Sequence, residues 1–195
     1  MPHSTPPLET GRLLLRPLEI ADAPQIQVVF PQWEIVRYLN NKIPWPYPAN
    51  GAEVFCREMA LPAMERGEEW LWTIRLKSFP EELIGIINLR KNDDENRGFW
   101  MDPRHRCRGL MTEASEAVTD FWFDVLKFPT LRLSKAIENS ASRRISERQR
   151  MRVIATMERD YICGRLPAEL WEITAEEWRA RKARMREAGT RDEPA

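Results

Sequence analysis

The feature that most limits what this chain can fold into is a change of backbone period around Pro103. Before it, Arg97 to Met101 reads as a short β-run. After it, from Leu110, an apolar face continues through Ala117, Val118, Phe121, Trp122 and Val125 at the spacing of an amphipathic helix. Pro103 has no N–H and a fixed φ, so the strand stops there. The link is Arg104-His105-Arg106-Cys107-Arg108-Gly109, an arginine-rich turn delivered to a helix start. The first N–H groups of a helix lack intrahelical partners, and the macrodipole adds about half a positive charge, so an anion there is favoured twice. Gly109 lets the backbone approach a ligand, and Arg104, Arg106 and Arg108 supply charge that attracts a pyrophosphate. No Gly-Lys-Ser/Thr follows and no GxGxxG is present, so the turn is neither a Walker loop nor a dinucleotide fingerprint. The plain alternative is a strand–turn–helix with solvated arginines.

The flanking sequence predicts an α+β order. Arg12 to Leu18 reads as a strand, and Glu19 to Val29 as a helix capped at Asp22. A second helical piece covers Gln32 to Leu39, and Pro44, Pro46 and Pro48 interrupt the chain. Asn50 caps a helix from Ala52 to Arg66. Trp70 to Leu76 and Glu82 to Leu89 are β-runs joined by a turn at Ser78-Phe79-Pro80-Glu81. With Arg97 to Met101 they make an antiparallel meander. The strand Leu131 to Ile137 follows a crossover helix and so can lie parallel to the strand before that helix. Then come a helix from Ser140 to Arg150, strands over Arg152 to Met157 and Leu170 to Ile173, and a final helix, Ala175 to Ala188, boxed by Thr174 and Glu177.

Composition removes several chemistries. The 195 residues suit one domain, and thirty Lys and Arg balance thirty Asp and Glu, so no global field recruits nucleic acid or an anionic membrane. No window nears eighteen apolar residues, and Met1 to Pro7 lacks signal-peptide features, so a cytoplasmic protein without a membrane partner is expected. Cys56, Cys107 and Cys163 lack CxxC spacing, and His3 and His105 are the two histidines. No metal site and no Ser-His-Asp triad is expected from such material.

The run Gly98-Phe99-Trp100-Met101-Asp102-Pro103 followed by Arg106-Cys107-Arg108-Gly109-Leu110-Met111-Thr112-Glu113-Ala114 resembles the acyl-CoA loop of the GNAT acetyltransferases, and within them the branch that acetylates N-termini of ribosomal proteins (RimJ/RimL-like). Cys107 stands where that branch often has Gly, and Met111 where the wider family prefers Gly or Ala. "RLLLRPL…DA" resembles the family's first strand and helix. Asn139-Ser140-Ala141-Ser142-Arg143-Arg144-Ile145-Ser146 resembles its post-strand-five helix. Arg150 and Met151 replace the family's usual Gly and Phe. The resemblance covers roughly Leu8 to Thr174 and implies one domain over 1–195. Its core is 8–174, with a mixed, mostly antiparallel sheet of about six to seven strands, an added helix at 175–188 and a disordered end at 189–195.

It further implies that acetyl-CoA is the co-substrate of an N-acetyltransferase acting on a primary amine by direct attack in a ternary complex. Trp100, Met101, Arg106, Cys107, Arg108, Gly109, Leu110, Met111, Thr112, Asn139 and Ser142 would bind the cofactor, with the oxyanion donor in a bulged strand near Trp100 and Met101. Ser146 holds the slot of the acid that protonates the thiolate. An attacking amine must lose a proton, and the carboxylates put forward as base are Glu158, preferred, and Glu169. Trp45 and Tyr47 could line an acceptor pocket, and the last helix, with Trp178 and Met185, a homodimer contact. Plain readings stand beside these: Asn139 as a helix cap, Ser146 as a solvated helix residue, the two acids as exposed strand ends and the aromatics as packing. A GNAT module that binds acyl-CoA or a partner without turnover remains open. So does a nucleic-acid binder using the arginine clusters, the weaker reading on a neutral chain.

Overall fold

Two antiparallel sheets meet along a single seam in the computed structural model, which describes residues 4–191. The first runs in the order β1 (Leu8–Glu9), β2 (Leu13–Pro17), β3 (Glu69–Leu76), β4 (Phe79–Arg90), β5 (Arg97–Met101). The second has β6 (Thr130–Ala136) beside β8 (Gly164–Thr174), with β7 (Arg152–Tyr161) outermost. The expected α+β order holds, and its strands divide between two sheets.

The parallel step expected after the crossover appears as that seam. Asn96 N–H donates to the Arg132 carbonyl at 2.8 Å, and Asn96 Oδ1 accepts from the Arg132 N–H at 2.7 Å. Farther along, the Lys135 ammonium lies 5.2 Å from the Phe99 ring centroid, so the strands advance together. No ladder joins them past Asn96 among the described residues.

Helices cover both faces of the first sheet. On one side lie α1 (Ala23–Val29), α2 (Trp33–Val36), α3 (Gly51–Val54) and α4 (Leu61–Glu65), the last two joined by a widened turn over Phe55–Ala60. They bury Leu18, Ile26, Phe30 and Val36 against Leu71 and Ile86. On the other side α5 (Leu110–Asp120), extended by a widened turn to Val125, packs Val118, Phe121 and Trp122 onto Trp70, Trp72 and Leu13. Burial on both faces explains why every residue of β3 after Glu69 is buried, Thr73 and Arg75 included.

The Ser78–Glu81 turn is tighter than expected, because Phe79 and Pro80 already belong to β4. Neither Asp22 nor Asn50 caps through its side chain; Asp22 forms a box with Glu19 and a buried ion pair with Arg75 at 2.6 Å. The closing strands are longer than their apolar cores suggest. Their hairpin tip docks on the chain after α2, Ile162 N–H on the Leu39 carbonyl and Cys163 N–H on that of Arg37.

The helix α6 (Ser140–Arg148) follows β6, and α7 (Ala175–Arg191) closes the chain. Thr174 and Glu177 form the expected capping box at 2.8 and 3.2 Å. Trp178, read as a surface for a second copy, is buried against Phe123 in its own chain and donates to Asp120 at 2.9 Å, whereas Met185 is exposed. Of the segment expected to be disordered, 192–195 lies outside the described residues, and 189–191 belong to α7.

Candidate active site

The arginine-rich turn and α5 form the wall of the candidate site. Gly109 sits at the helix N-cap with φ of 75°, a left-handed backbone that L side chains resist, and it offers no capping side chain. By helix geometry the N–H groups of Leu110, Met111 and Thr112 have no intrahelical acceptor. The Leu110 and Met111 side chains are core, so these residues contribute backbone alone.

The arginines divide by role. Arg104, expected to face a phosphate, is spent on Asp102 at 2.7 Å and on Glu82 at 3.4 Å. Arg106 donates to the Glu34 carbonyl at 2.9 Å, pinning the turn to α2, and burial lowers its pKa. Arg108 stays exposed beside His105 Nδ1 at 3.4 Å, the cation best placed for an incoming anion. Cys107 is exposed with φ of 60°, a conformation that suits Gly.

Glu113, which the sequence offered only as part of a motif, holds the turn in place. Its carboxylate accepts from Thr10 Oγ1 at 2.5 Å, the Arg12 N–H at 2.8 Å and Arg12 Nε at 2.7 Å, while Arg12 Nη1 reaches the Arg108 carbonyl at 3.0 Å. Burial pushes the Glu113 carboxyl up, but these hydrogen bonds outweigh it and leave its pKa below the usual range.

The second wall is the edge of β5. Asp102 N–H donates to the Ile84 carbonyl, and Arg90 N–H to that of Asn96. With the register Ile86↔Trp100 and Gly85↔Met101, alternation spends the Trp100 backbone on β4 and turns the N–H and C=O of Phe99 and Met101 into the seam. The register from Gly85 to Leu89 is unbroken, so the bulge expected near Trp100 is not there. The Trp100 ring lies on the opposite face against Phe30, centroids 5.3 Å apart. Of the two residues named for the oxyanion donor, Met101 has the available amide.

Across the seam, Asn139 caps α6 through Oδ1, accepting from Ser142 N–H at 3.2 Å. Ser142 Oγ accepts from Lys135 Nζ at 2.6 Å. One turn on, the Ser146 hydroxyl is fully buried with no hydrogen-bond partner, not the solvated residue of the plain reading.

The acids lie farther off. Glu158 is exposed on β7, the strand of its sheet most distant from the seam. Glu169 makes a two-pronged ion pair with Arg143 at 2.9 and 3.2 Å. On the opposite face, Tyr47 packs edge-on to Phe30 and would clash with any Cβ on Gly51; burial raises its pKa to about 12. Trp33 and Trp45 stay exposed, their rings 5.8 Å apart. A groove of about 470 Å³ lined by Lys91, Trp122, Phe128 and Arg132 marks the closed end of the seam, away from Gly109.

Among the described residues, no helix is long and apolar enough to cross a membrane, and no group of three or more His, Cys, Asp or Glu could hold a metal. The arrangement can take an anion at the start of α5 and an extended, amide-bearing chain along β5, as a strand would pair there.

Residues 12–152 match the family model described as acetyltransferase (GNAT) domain. No curated protein matches the sequence. Among solved structures, the ribosomal-protein-S5-alanine acetyltransferase from Vibrio fischeri superposes with a TM-score of 0.76 at 12% identity, over 89% of this chain and 98% of that one. Mycobacterium smegmatis RimJ in complex with CoA-disulfide gives 0.75 at 18% identity, over 90% and 89%. An acetyltransferase from Agrobacterium tumefaciens gives 0.67 at 25% identity, over 88% and 95%.

Proposed function

The chain belongs to the GNAT acetyltransferase family, and from that premise we propose that it moves the acetyl group of acetyl-CoA to a primary amine by direct attack in a ternary complex. The observation that carries this reading is the alignment of two sets of free backbone donors. The uncapped start of α5 behind Gly109 leads to the unpaired edge of β5 at Met101 and Phe99. Acetyl-CoA has the matching chemistry, a pyrophosphate followed by an arm with two amides and a thioester.

In this reading the N–H groups from Leu110 to Thr112 and the side chain of Arg108 hold the phosphates. The Phe99 and Met101 backbone pairs with the arm, and of Trp100 and Met101 it is Met101 whose amide is free to face a developing oxyanion. Ser146 supplies the proton to the departing thiolate. It stands one helical turn from Ser142 on the side of α6 that meets the seam, and a buried hydroxyl without a partner asks for a ligand. Asn139 acts through the conformation of the α6 start, since its oxygen is already engaged.

For the acceptor we propose a protein N-terminus, as in the ribosomal-protein branch that the sequence resembles. The exposed Trp33 and Trp45 give a peptide an aromatic surface on the face opposite α5. Cys107 and Arg150, among the departures that raised a binding-only module, both adopt a positive φ, 60° and 57°, a conformation that glycine takes readily.

The test is release of CoA thiol from acetyl-CoA with a panel of ribosomal-protein N-terminal peptides, polyamines, aminoglycosides and amino acids. Release with peptides alone supports the whole reading. Release with small amines alone removes the protein acceptor, and CoA binding without release under any condition leaves the binding module.

A further inference from the structure

Lys135 is a lysine on the apolar face of a strand. In β6, Leu131, Leu133 and Lys135 share one face, and all three are buried. Its ammonium crosses the seam to the Phe99 ring of β5, 5.2 Å from the centroid, and donates to Ser142 Oγ at 2.6 Å. Arg97, two residues before Phe99 and on its face, is buried as well. Arg97 Nη1 donates to Thr119 Oγ1 at 2.7 Å, while Nε and Nη2 have no acceptor. Among the described residues neither cation makes an ion pair. The acids around them are otherwise held: Glu95 by Arg159 at 2.6 Å, Glu116 by Arg181 at 2.8 Å, and Glu169, opposite Lys135 in the ladder, by Arg143.

A buried ammonium without a counter-charge is costly, and the group escapes by losing its proton. Burial pushes the Lys135 amine well below the ordinary lysine range. The Arg97 charge pushes the same way, and Glu95 opposes both. A neutral amine has a free electron pair, and this one lies in the seam to which the acetyl-CoA arm is assigned above.

We propose that Lys135 is itself an acyl acceptor, taking the acetyl group from the acetyl-CoA bound in the seam of the same molecule. The proposal rests on the reading that the arm lies along β5. The Nζ attacks the thioester carbonyl, the N–C bond forms and the C–S bond breaks; the nitrogen's proton leaves with the thiolate as CoA thiol. The product is a neutral amide. It can no longer take up a proton beside Arg97, and it supplies a carbonyl oxygen near Arg97, whose Nε and Nη2 lack an acceptor.

The experiment incubates the full chain with acetyl-CoA and no acceptor, and follows acetylation of each lysine by peptide mass mapping. CoA affinity is measured in parallel by calorimetry. Lys135 should acetylate at least about 10-fold faster than exposed Lys77 and Lys127, because a bound thioester is held beside it. Excess CoA should suppress the Lys135 product, and Gly109→Val should abolish its advantage. If CoA binds and Lys135 stays unmodified while Lys77 and Lys127 react, self-acetylation is overturned and the acetyltransferase reading survives. Equal Lys135 rates in wild type and Gly109→Val also overturn it, since the reaction would then not need the bound cofactor. If CoA does not bind at all, the placement of the arm fails and this proposal fails with it.

Discussion

Two helices start at the mouth of the seam, and they start differently. The first, α5, begins at Gly109 with a left-handed backbone and no side-chain cap, whereas α6 begins at Asn139, whose carboxamide closes on Ser142 N–H at 3.2 Å. An open start keeps its N–H groups for a ligand, and a closed one has satisfied part of that need internally. The missing cap costs α5 stability, and Glu113, Thr10 and Arg12 offset that cost from the outside of the loop. The comparison assigns anion binding to the start of α5, and to α6 a contribution from its first two turns, through Ser142 and Ser146.

The largest effect expected from this contrast is that of Gly109→Val. A Cβ at Gly109 would lie 3.5 Å from Arg12 Nη2, an ordinary contact, so the damage comes from the positive φ and from the ligand side. CoA affinity should fall by about 100-fold or more, with a loss of roughly 1–2 kcal/mol in stability from the strained backbone. Calorimetric titration of a folded variant measures the first and thermal unfolding the second, and unchanged affinity would remove the start of α5 from the site.

Ser146→Ala should come next, lowering acetyl transfer about 10- to 100-fold at little change in acetyl-CoA affinity, as for a group acting on the leaving thiolate. Equal rates, with stability unchanged or slightly raised by loss of an unpaired buried hydroxyl, would confine α6 to packing.

Smaller effects separate the anchor of one start from the cap of the other. Glu113→Gln should cost about 1–2 kcal/mol, since it removes the charge from three hydrogen bonds. The folded pKa of Glu113 is depressed, so the stability it contributes is complete above the unfolded carboxyl value, about 4.3, and is lost as pH falls through the lower folded value. Thermal melts from pH 6 to 3 should therefore show a shallower acid decline in the variant. Asn139→Ala should cost about 1 kcal/mol of stability and change CoA affinity by no more than about twofold, because its oxygen already serves the helix. A tenfold loss of affinity at unchanged stability would give Asn139 a direct contact with CoA.

The same contrast explains what could be read in the chain beforehand. The α5 start was legible because its determinants are local: Pro103 ends β5, Gly109 takes the left-handed residue, and the apolar face follows at once. The departures at Cys107 and Arg150 were legible as departures, but the positive φ that both adopt came only with the structure. Contacts between distant segments were not legible. Nothing near Glu113 announces Thr10 and Arg12, a hundred residues away, and nothing near Arg106 announces the Glu34 carbonyl that holds it. Lys135 lay between these cases. The alternation Leu131, Leu133, Lys135 already put it on the buried face, but the second sheet was needed to bring it to Phe99.

The smallest effect expected is that of Glu158→Gln, and it tests the chemistry that neither helix start supplies. A base must reach an amine at the thioester. Glu158 is exposed on β7, which is separated from β6 by β8, so its strand lies about 10 Å from the edge that borders the seam. Along β7, Met157 and Tyr161 turn inward with Ala136 and Tyr38, on the side where the chain after α2 docks. Strand alternation then turns Glu158 the other way, toward the face that carries Glu169 and α6. A carboxylate so placed is solvated and faces away from Trp33 and Trp45, where the acceptor is proposed to enter. Glu158→Gln should therefore keep the wild-type pH–rate profile to within about twofold on any accepted amine, the proton leaving to water. If the variant instead loses activity most steeply at low pH and recovers toward pH 9, Glu158 takes the amine's proton, and the hairpin of β7 and β8 must swing toward the seam when substrates bind.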